Sequence, residues 1–451
     1  MKPGNFPRAL IVAVLVLFAG AVFGDSQYIR LRYVEGQVTL HASDGRTEQA
    51  TINTPILQGD EIETSDGRSE LTFRSGLVVR IADYTAVRVE SGESPVSLSL
   101  VQGTIFVDSH MVNSFRDELE VRAGDAQVFM IDEGNIRIDL GNEGTARITS
   151  LTGEVEVRAS GRRVLLSQGE KTYVDPGQDP ERPEAYEGRY DELDDWNQSR
   201  MDSYARNDYG RGERYVDEDI YYDSSELNDY GDWRQYEDYG NVWVPNVSYG
   251  WRPYYDGRWS YCNNSWFWVS YEPWGWAPYH YGRWGWAAAF GWYWVPGNVF
   301  GPSWVSWYDY GDYIGWCPLN YYNRPVYAYN NYNHYNNYNR YPPVQKQKTI
   351  QKTLDVGSSW NFVKKKELGN FHLVKAIAKP EDVKGIRIDD RKVLRSPEKQ
   401  LINYVIPKPG VVRGYENDKR VIKPSEDIKN PIGVNHREEQ FGNGSSRSNC
   451  C

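Results

Sequence analysis

Cysteine is scarce in this chain, with four residues among 451, at 262, 317, 450 and 451. So few thiols cannot make a disulfide scaffold of this length, and their spacing is not that of a zinc site. Histidine is nearly as rare: His41, His110, His280, His334, His372 and His436 form no zinc-type cluster. A nucleophile elbow and a phosphate-cradling glycine loop are also missing. The carboxylates Asp217, Glu218, Asp219 and Asp223 lack the Asp-x-Asp-x-Asp-Gly spacing and the closing Glu of a calcium loop. These absences argue against an enzyme and against a resident metal or cofactor. Glycoside hydrolysis alone stays open, because its two carboxylates can come from distant positions.

Long apolar runs are absent too, apart from the stretch Ala9 to Phe23, which follows Lys2 and Arg8 and ends in small residues at Gly20, Ala21 and Gly24. This is shorter than the roughly 20 residues a spanning helix needs, and it has the layout of a secretory signal segment. Residues 1–24 are therefore expected to direct export, either cleaved before Asp25 or kept as an inner-membrane anchor. The expected location is the periplasm or the cell envelope. An oxidising compartment would permit a bridge between Cys262 and Cys317, although sequence separation does not give their distance.

Net charge is −11, which gives little support to a nucleic-acid partner. The sign is uneven. Residues 176–238 are strongly acidic and poor in aliphatics, which predicts a flexible linker. The stretch beyond 345 carries excess Lys and Arg, and such a tail could touch an anionic membrane surface or dock back on the acidic part.

What is present is strand pattern and aromatic rings. From Tyr28 to Val174, short runs alternate apolar and polar residues between Gly, Asp and Asn turns. Examples are Val34 to Leu40, Ser69 to Arg74, Gly76 to Ile81, Val96 to Leu100 and Gly103 to Val107. Residues 28–175 are predicted to be a mainly β domain, a short-stranded antiparallel sandwich or solenoid-like pile. Asp60, Glu61, Glu63, Asp66 and Arg68 read as a solvated turn, and Asp108 with His110 as a loop end.

Val34-Glu-Gly-Gln-Val, Leu57-Gln-Gly-Asp-Glu-Ile, Gly76-Leu-Val-Val-Arg-Ile, Val101-Gln-Gly-Thr-Ile-Phe-Val and Leu151-Thr-Gly-Glu-Val-Glu-Val together resemble the FecR domain family over about a third of the chain. The resemblance implies an extracytoplasmic sensory or scaffold domain. FecR itself is a membrane-spanning regulator that relays iron-transport signals to an extracytoplasmic-function sigma factor. Here eight residues precede the apolar run, where that family's cytoplasmic anti-sigma portion would stand, so direct sigma-factor control is not expected.

The rings concentrate in residues 239–322. Gly250-Trp-Arg-Pro-Tyr-Tyr-Asp-Gly-Arg-Trp259 returns 25 residues later as Gly275-Trp-Ala-Pro-Tyr-His-Tyr-Gly-Arg-Trp284. A decayed third unit runs from Trp294-Val-Pro to Gly315-Trp-Cys-Pro318. Such regularity predicts an aromatic-rich repeat module of short strands and turns burying Trp and Tyr, with Arg258 and Arg283 stacked on neighbouring rings. The phrase resembles an uncharacterised Tyr/Trp-rich family found beside FecR-like domains in exported bacterial proteins, and that family brings no activity. Two readings of the rings stand side by side. Most form a core, or Trp251, Trp259, Trp276 and Trp284, with Arg258 and Arg283, line a face for an envelope glycan or another envelope protein.

Residues 323–345 are a low-complexity Tyr/Asn run. Residues 346–451 form a basic tail with room for a small β element, in which Phe371 to Ala378 fits a short helix or a strand equally well. The function these features predict is non-catalytic binding or scaffolding at the envelope. Its alternative is extracytoplasmic signal sensing linked to transcriptional regulation through a separate membrane partner.

Overall fold

The structure is a computed structural model. It describes residues 28–110, 119–186, 191–206, 215–217, 220–236, 239–248, 250–326 and 359–379, with a few positions between 381 and 396. Residues 1–24, expected to direct export, the Tyr/Asn run beyond residue 326, the stretch Gln400 to Pro407 and the C-terminal cysteines lie outside the described residues.

The chain is mainly β-strand. In its first part, alternation works as the sequence predicts: Ile29 and Leu31, Val79 and Ile81, and Ile136 and Ile138 turn into one aliphatic core, while the residues between them face the other way. Two ladders feed that core. One includes the strands Ile29–Glu35, Arg68–Thr72, Val78–Ile81, Asn135–Leu140, Ala146–Thr152 and Glu170–Val174. The other includes Val38–His41, Glu61–Thr64, Ala86–Ser91, Leu119–Ala123, Ala126–Met130, Val155–Ala159 and Arg162–Leu166.

Strand Val96–Asp108 belongs to both ladders. The sequence reads it as two runs, Val96 to Leu100 and Gly103 to Val107. Gly103 takes a φ of +87°, and a Cβ there would lie 2.7 Å from the Cα of Thr85, so glycine lets one strand change ladders without stopping. The single run expected over Val34 to Leu40 is the opposite case. Gly36, at φ +65°, turns the chain between Ile29–Glu35 and Val38–His41. The expectation of an antiparallel sandwich or solenoid-like pile is corrected at one pair of strands. Leu119–Ala123 runs parallel to the first half of Val96–Asp108, because the chain returns to that strand after its second half has left for the other ladder.

The acidic stretch is not simply a linker. It holds a helix, Glu192–Arg206, that lies on the first ladder, and residues such as Ile220, Asp223 and Leu227 are buried. Four hairpins then follow: Gly231–Tyr236 with Gly240–Pro245, Gly257–Cys262 with Ser265–Ser270, Arg283–Ala287 with Gly291–Val295, and Val305–Tyr310 with Tyr313–Pro318. The tail contributes Asn361–Lys364 and Val393–Leu394 as partners of the fourth hairpin, and Leu373–Ala376 is a short helix. Among the described residues no helix is long and apolar enough to cross a membrane.

Candidate functional site: the ring-rich hairpins and their seam with the β domain

Each hairpin carries two tryptophans directly opposite one another: Trp233 and Trp243, Trp259 and Trp268, Trp284 and Trp294, Trp307 and Trp316. Within the second and fourth hairpins the opposed rings touch, Trp259 and Trp268 at 5.0 Å and Trp307 and Trp316 at 6.0 Å between centroids, contacts worth about 0.5–1.5 kcal/mol each. Trp233 of the first hairpin meets Trp294 of the third at 6.3 Å, so the hairpins share a core. The repeat is therefore one of four hairpins, each spanning two halves of the phrase visible in the sequence. The glycine of each Gly-x-Trp phrase has a packing reason. A Cβ on Gly231, Gly257 or Gly282 would come within 2.6 Å of the indole of Trp243, Trp268 or Trp294 respectively. Asn263 and Asn264, both at positive φ, close the second hairpin as a two-residue turn.

The six residues singled out as candidate contacts are drawn into this packing. Trp259, Trp276 and Trp284 are 1%, 2% and 1% exposed. Trp259 lies 4.4 Å from Trp307 and 5.0 Å from Trp268 between ring centroids. Trp276 packs on His280 at 4.7 Å, and the Trp284 indole donates to the Pro278 carbonyl at 2.9 Å. Trp251 is half-buried and donates to Glu272 Oε1 at 2.5 Å. Arg258, 2% exposed, donates to Glu48 Oε1 at 2.9 Å and covers the ring of Phe371. Arg283 stands 3.4 Å from the Trp304 ring centroid and donates to Asn323 Oδ1 at 2.8 Å. Burial lowers its pKa to about 10.

The two internal cysteines are free and buried. Cys262 lies on the strand face turned to the β domain, with Arg46, Glu48 and Asp60 as its nearby charges. Cys317 packs instead with Tyr308, Trp360 and Phe362. The bridge weighed from the sequence is thus not formed, because the thiols occupy separate clusters. Burial pushes the Cys262 thiol up to about 12, which makes it a poor nucleophile.

Two features of this region were not legible in the sequence. Glu272 is one: its Oε2 lies 3.0 Å from the Ser270 hydroxyl and 2.5 Å from that of Tyr279, and burial raises its pKa to about 8. The other is a polar seam with the β domain. Arg30 donates to Asn53 Oδ1 and the Pro273 carbonyl, both at 3.0 Å. Asn53 in turn donates to the carbonyls of Ser270 and Glu272. Glu226 accepts the ion pairs of Arg30 and Arg32, at 3.3 and 2.7 Å. Burial works against its charge, yet the two guanidinium groups hold its carboxyl below the usual range. Tyr28 completes the seam by stacking on Phe300 at 5.0 Å. Only the structure pairs residues more than 190 positions apart in this way, and no local motif announces them.

Among the described residues no group of His, Cys, Asp and Glu is placed to hold a metal ion.

Residues 224–323 match the model of a family of unknown function, DUF6600. No curated protein matches. Two crystal structures of candidate anti-sigma factors from Parabacteroides distasonis ATCC 8503 are distantly similar. One is 19% identical, with 28% of this chain and 59% of that chain covered and a TM-score of 0.25. The other is 15% identical, with 42% of this chain and 99% of that chain covered and a TM-score of 0.27. The first of these matches thus spans less than two thirds of its counterpart's length.

Proposed function

We propose that this chain is a non-catalytic envelope protein that works by docking a protein partner, with its hairpin module serving as the rigid body behind the docking surface. The observation that carries this reading is the burial of Trp259, Trp276, Trp284 and Arg258. Indoles packed on both faces are spent on the core, and a sugar ring needs an open face to stack upon. That weighs against glycan binding by the repeat and favours a protein partner among the two chemistries expected from the sequence.

The finer form of the proposal is extracytoplasmic sensing, in which the state of the β domain is passed to a separate membrane partner, as the FecR-like phrases between residues 34 and 157 suggest. The signal-like layout of residues 1–24 supports the periplasm as the site of that event, with the chain free or tethered to the inner membrane.

Sedimentation with purified peptidoglycan sacculi tests the reading. The full chain is expected to stay in the supernatant. Retention on sacculi that Trp251→Ala or Arg283→Ala abolishes, at an unchanged melting temperature, would overturn it in favour of a glycan site. Trp259→Ala is the control for a core ring and should cost about 3–5 kcal/mol of stability.

A further inference from the structure

The outer face of the first ladder is unusual for a sheet covered by a helix. Strand register sets Tyr33, Glu70, Arg80, Phe106, Arg137 and Thr149 in one row across it. A row with one carboxylate and two guanidinium groups would ordinarily face water. Here helix Glu192–Arg206 lies over it and buries it.

The helix meets the row with complementary groups. Arg137 donates to Asp191 at 2.7 Å and to Asp194 at 3.0 Å. Arg80 donates to Asn197 at 3.0 Å, and Glu70 accepts from Arg200 at 3.2 Å and from the Tyr204 hydroxyl. Trp196 sits against Phe106, with ring centroids 6.5 Å apart. Ion pairs and hydrogen bonds, more than apolar packing, hold this helix down. Buried ion pairs give up much of their attraction to desolvation, so they are weak as pure stabilisers and strong as specificity devices.

The fit is also incomplete. Asn135 Nδ2, Thr149 Oγ1 and Trp196 Nε1 are buried at this interface or beside it without a hydrogen-bond partner. An occupant that satisfied Asn135 and Thr149 and brought no orphaned indole of its own would bind better than the resident helix does.

We infer that the row from Glu70 to Thr149 is a docking groove for an acidic, Trp-bearing helix of a partner protein, and that helix Glu192–Arg206 is its built-in occupant, displaced when the partner arrives. The resident segment 191–206 itself displays the chemistry required: Asp191 just before the helix and Asp194 within it for Arg137, an amide for Arg80, and a ring for Phe106. The inference deepens the protein-partner reading by naming where that partner sits.

The test uses the full chain and a fluorescein-labelled peptide of residues 191–206 as the probe, read by anisotropy. In one variant, Gln198→Gly with Ser199→Gly, two exposed positions weaken the tethered helix while the groove residues are left intact. In a second, Asp194→Lys removes the main carboxylate from the tethered helix. The probe is expected to bind the variants roughly ten-fold or more tighter than wild type, since the tethered copy no longer competes at high effective concentration. A probe carrying Asp194→Lys should bind none of them. Equal or absent binding to wild type and to variants that still melt cooperatively overturns the groove, as does a variant that unfolds wholly when its helix is weakened. If the weakened chain dimerises with rising concentration and excludes the probe, the occupant is a second copy and the partner proposal falls. Loss of the groove would leave a partner elsewhere on the surface, whereas specific retention on sacculi removes the protein-partner reading itself.

Discussion

Glu272 is a carboxyl whose chemistry departs far from its type. Its folded pKa of about 8 stands above the ordinary 4.5, with burial as the largest cause. The native state therefore keeps a proton that the unfolded chain releases between those values, and stability from this group is fully present below about 4.5 and lost as pH rises to about 8. The melting temperature of wild type should thus fall from pH 5 to pH 9 relative to Glu272→Gln, which cannot ionise. Parallel profiles for the two proteins would show that Glu272 is ionised throughout. Gly257→Ala probes the same region sterically. A Cβ 2.6 Å from the Trp268 ring must shift a buried indole, so the change should cost about 1–3 kcal/mol in denaturant unfolding. No measurable change would show that the ring has room to yield.

At the scale of elements, the strands were legible and the helix was not. Period-two alternation in Ser69 to Arg74 or Ile136 to Leu140 marks a strand because one side of each is aliphatic. Helix Glu192–Arg206 turns Asp194, Asn197 and Tyr204 inward beside a single indole, Trp196, so no apolar 3.6 period exists to be seen, and composition alone reads as a linker. The hairpins were half legible. The Gly-Trp-x-Pro-Tyr phrase shows the repeat, but cross-strand pairing of Trp233 with Trp243 and of Trp307 with Trp316 follows from register, which spacing alone does not fix. Which rings are core and which are open is likewise a property of the packed whole. The helix can be tested as an element: Arg137→Ala leaves Asp194, whose side chain is 1% exposed, buried without its guanidinium partner. Such a break should cost about 3–5 kcal/mol, read by chemical denaturation. A cost within error of zero would mean that the helix is not docked in solution.

Acid should loosen the same element. Burial opposes the charge on Glu70, yet Arg200, Arg80 and Arg32 hold its carboxyl down at about 2, below the ordinary 4.5. That stabilisation is present above 4.5 and is lost as pH falls towards 2. Hydrogen exchange along residues 192–206 should accelerate below pH 4 beyond the intrinsic trend, more in wild type than in Glu70→Gln. Matched profiles would remove Glu70 from the clasp.

For the whole molecule, the β domain and the ring-rich hairpins form one body through the seam of Arg30, Arg32, Asn53 and Glu226. Their composition offers a clean pair of probes, because all 17 tryptophans lie beyond residue 195. Tryptophan emission reports the ring-rich part and the helix, and far-ultraviolet circular dichroism reports every strand, so that signal left after the indoles are exposed belongs to the aliphatic ladders of the β domain. Thermal unfolding of the full chain followed by both signals is the most direct test of the central claim. One body predicts coincident transitions at a single midpoint. Two separate midpoints, with the ladders intact after the indoles are exposed, would contradict it.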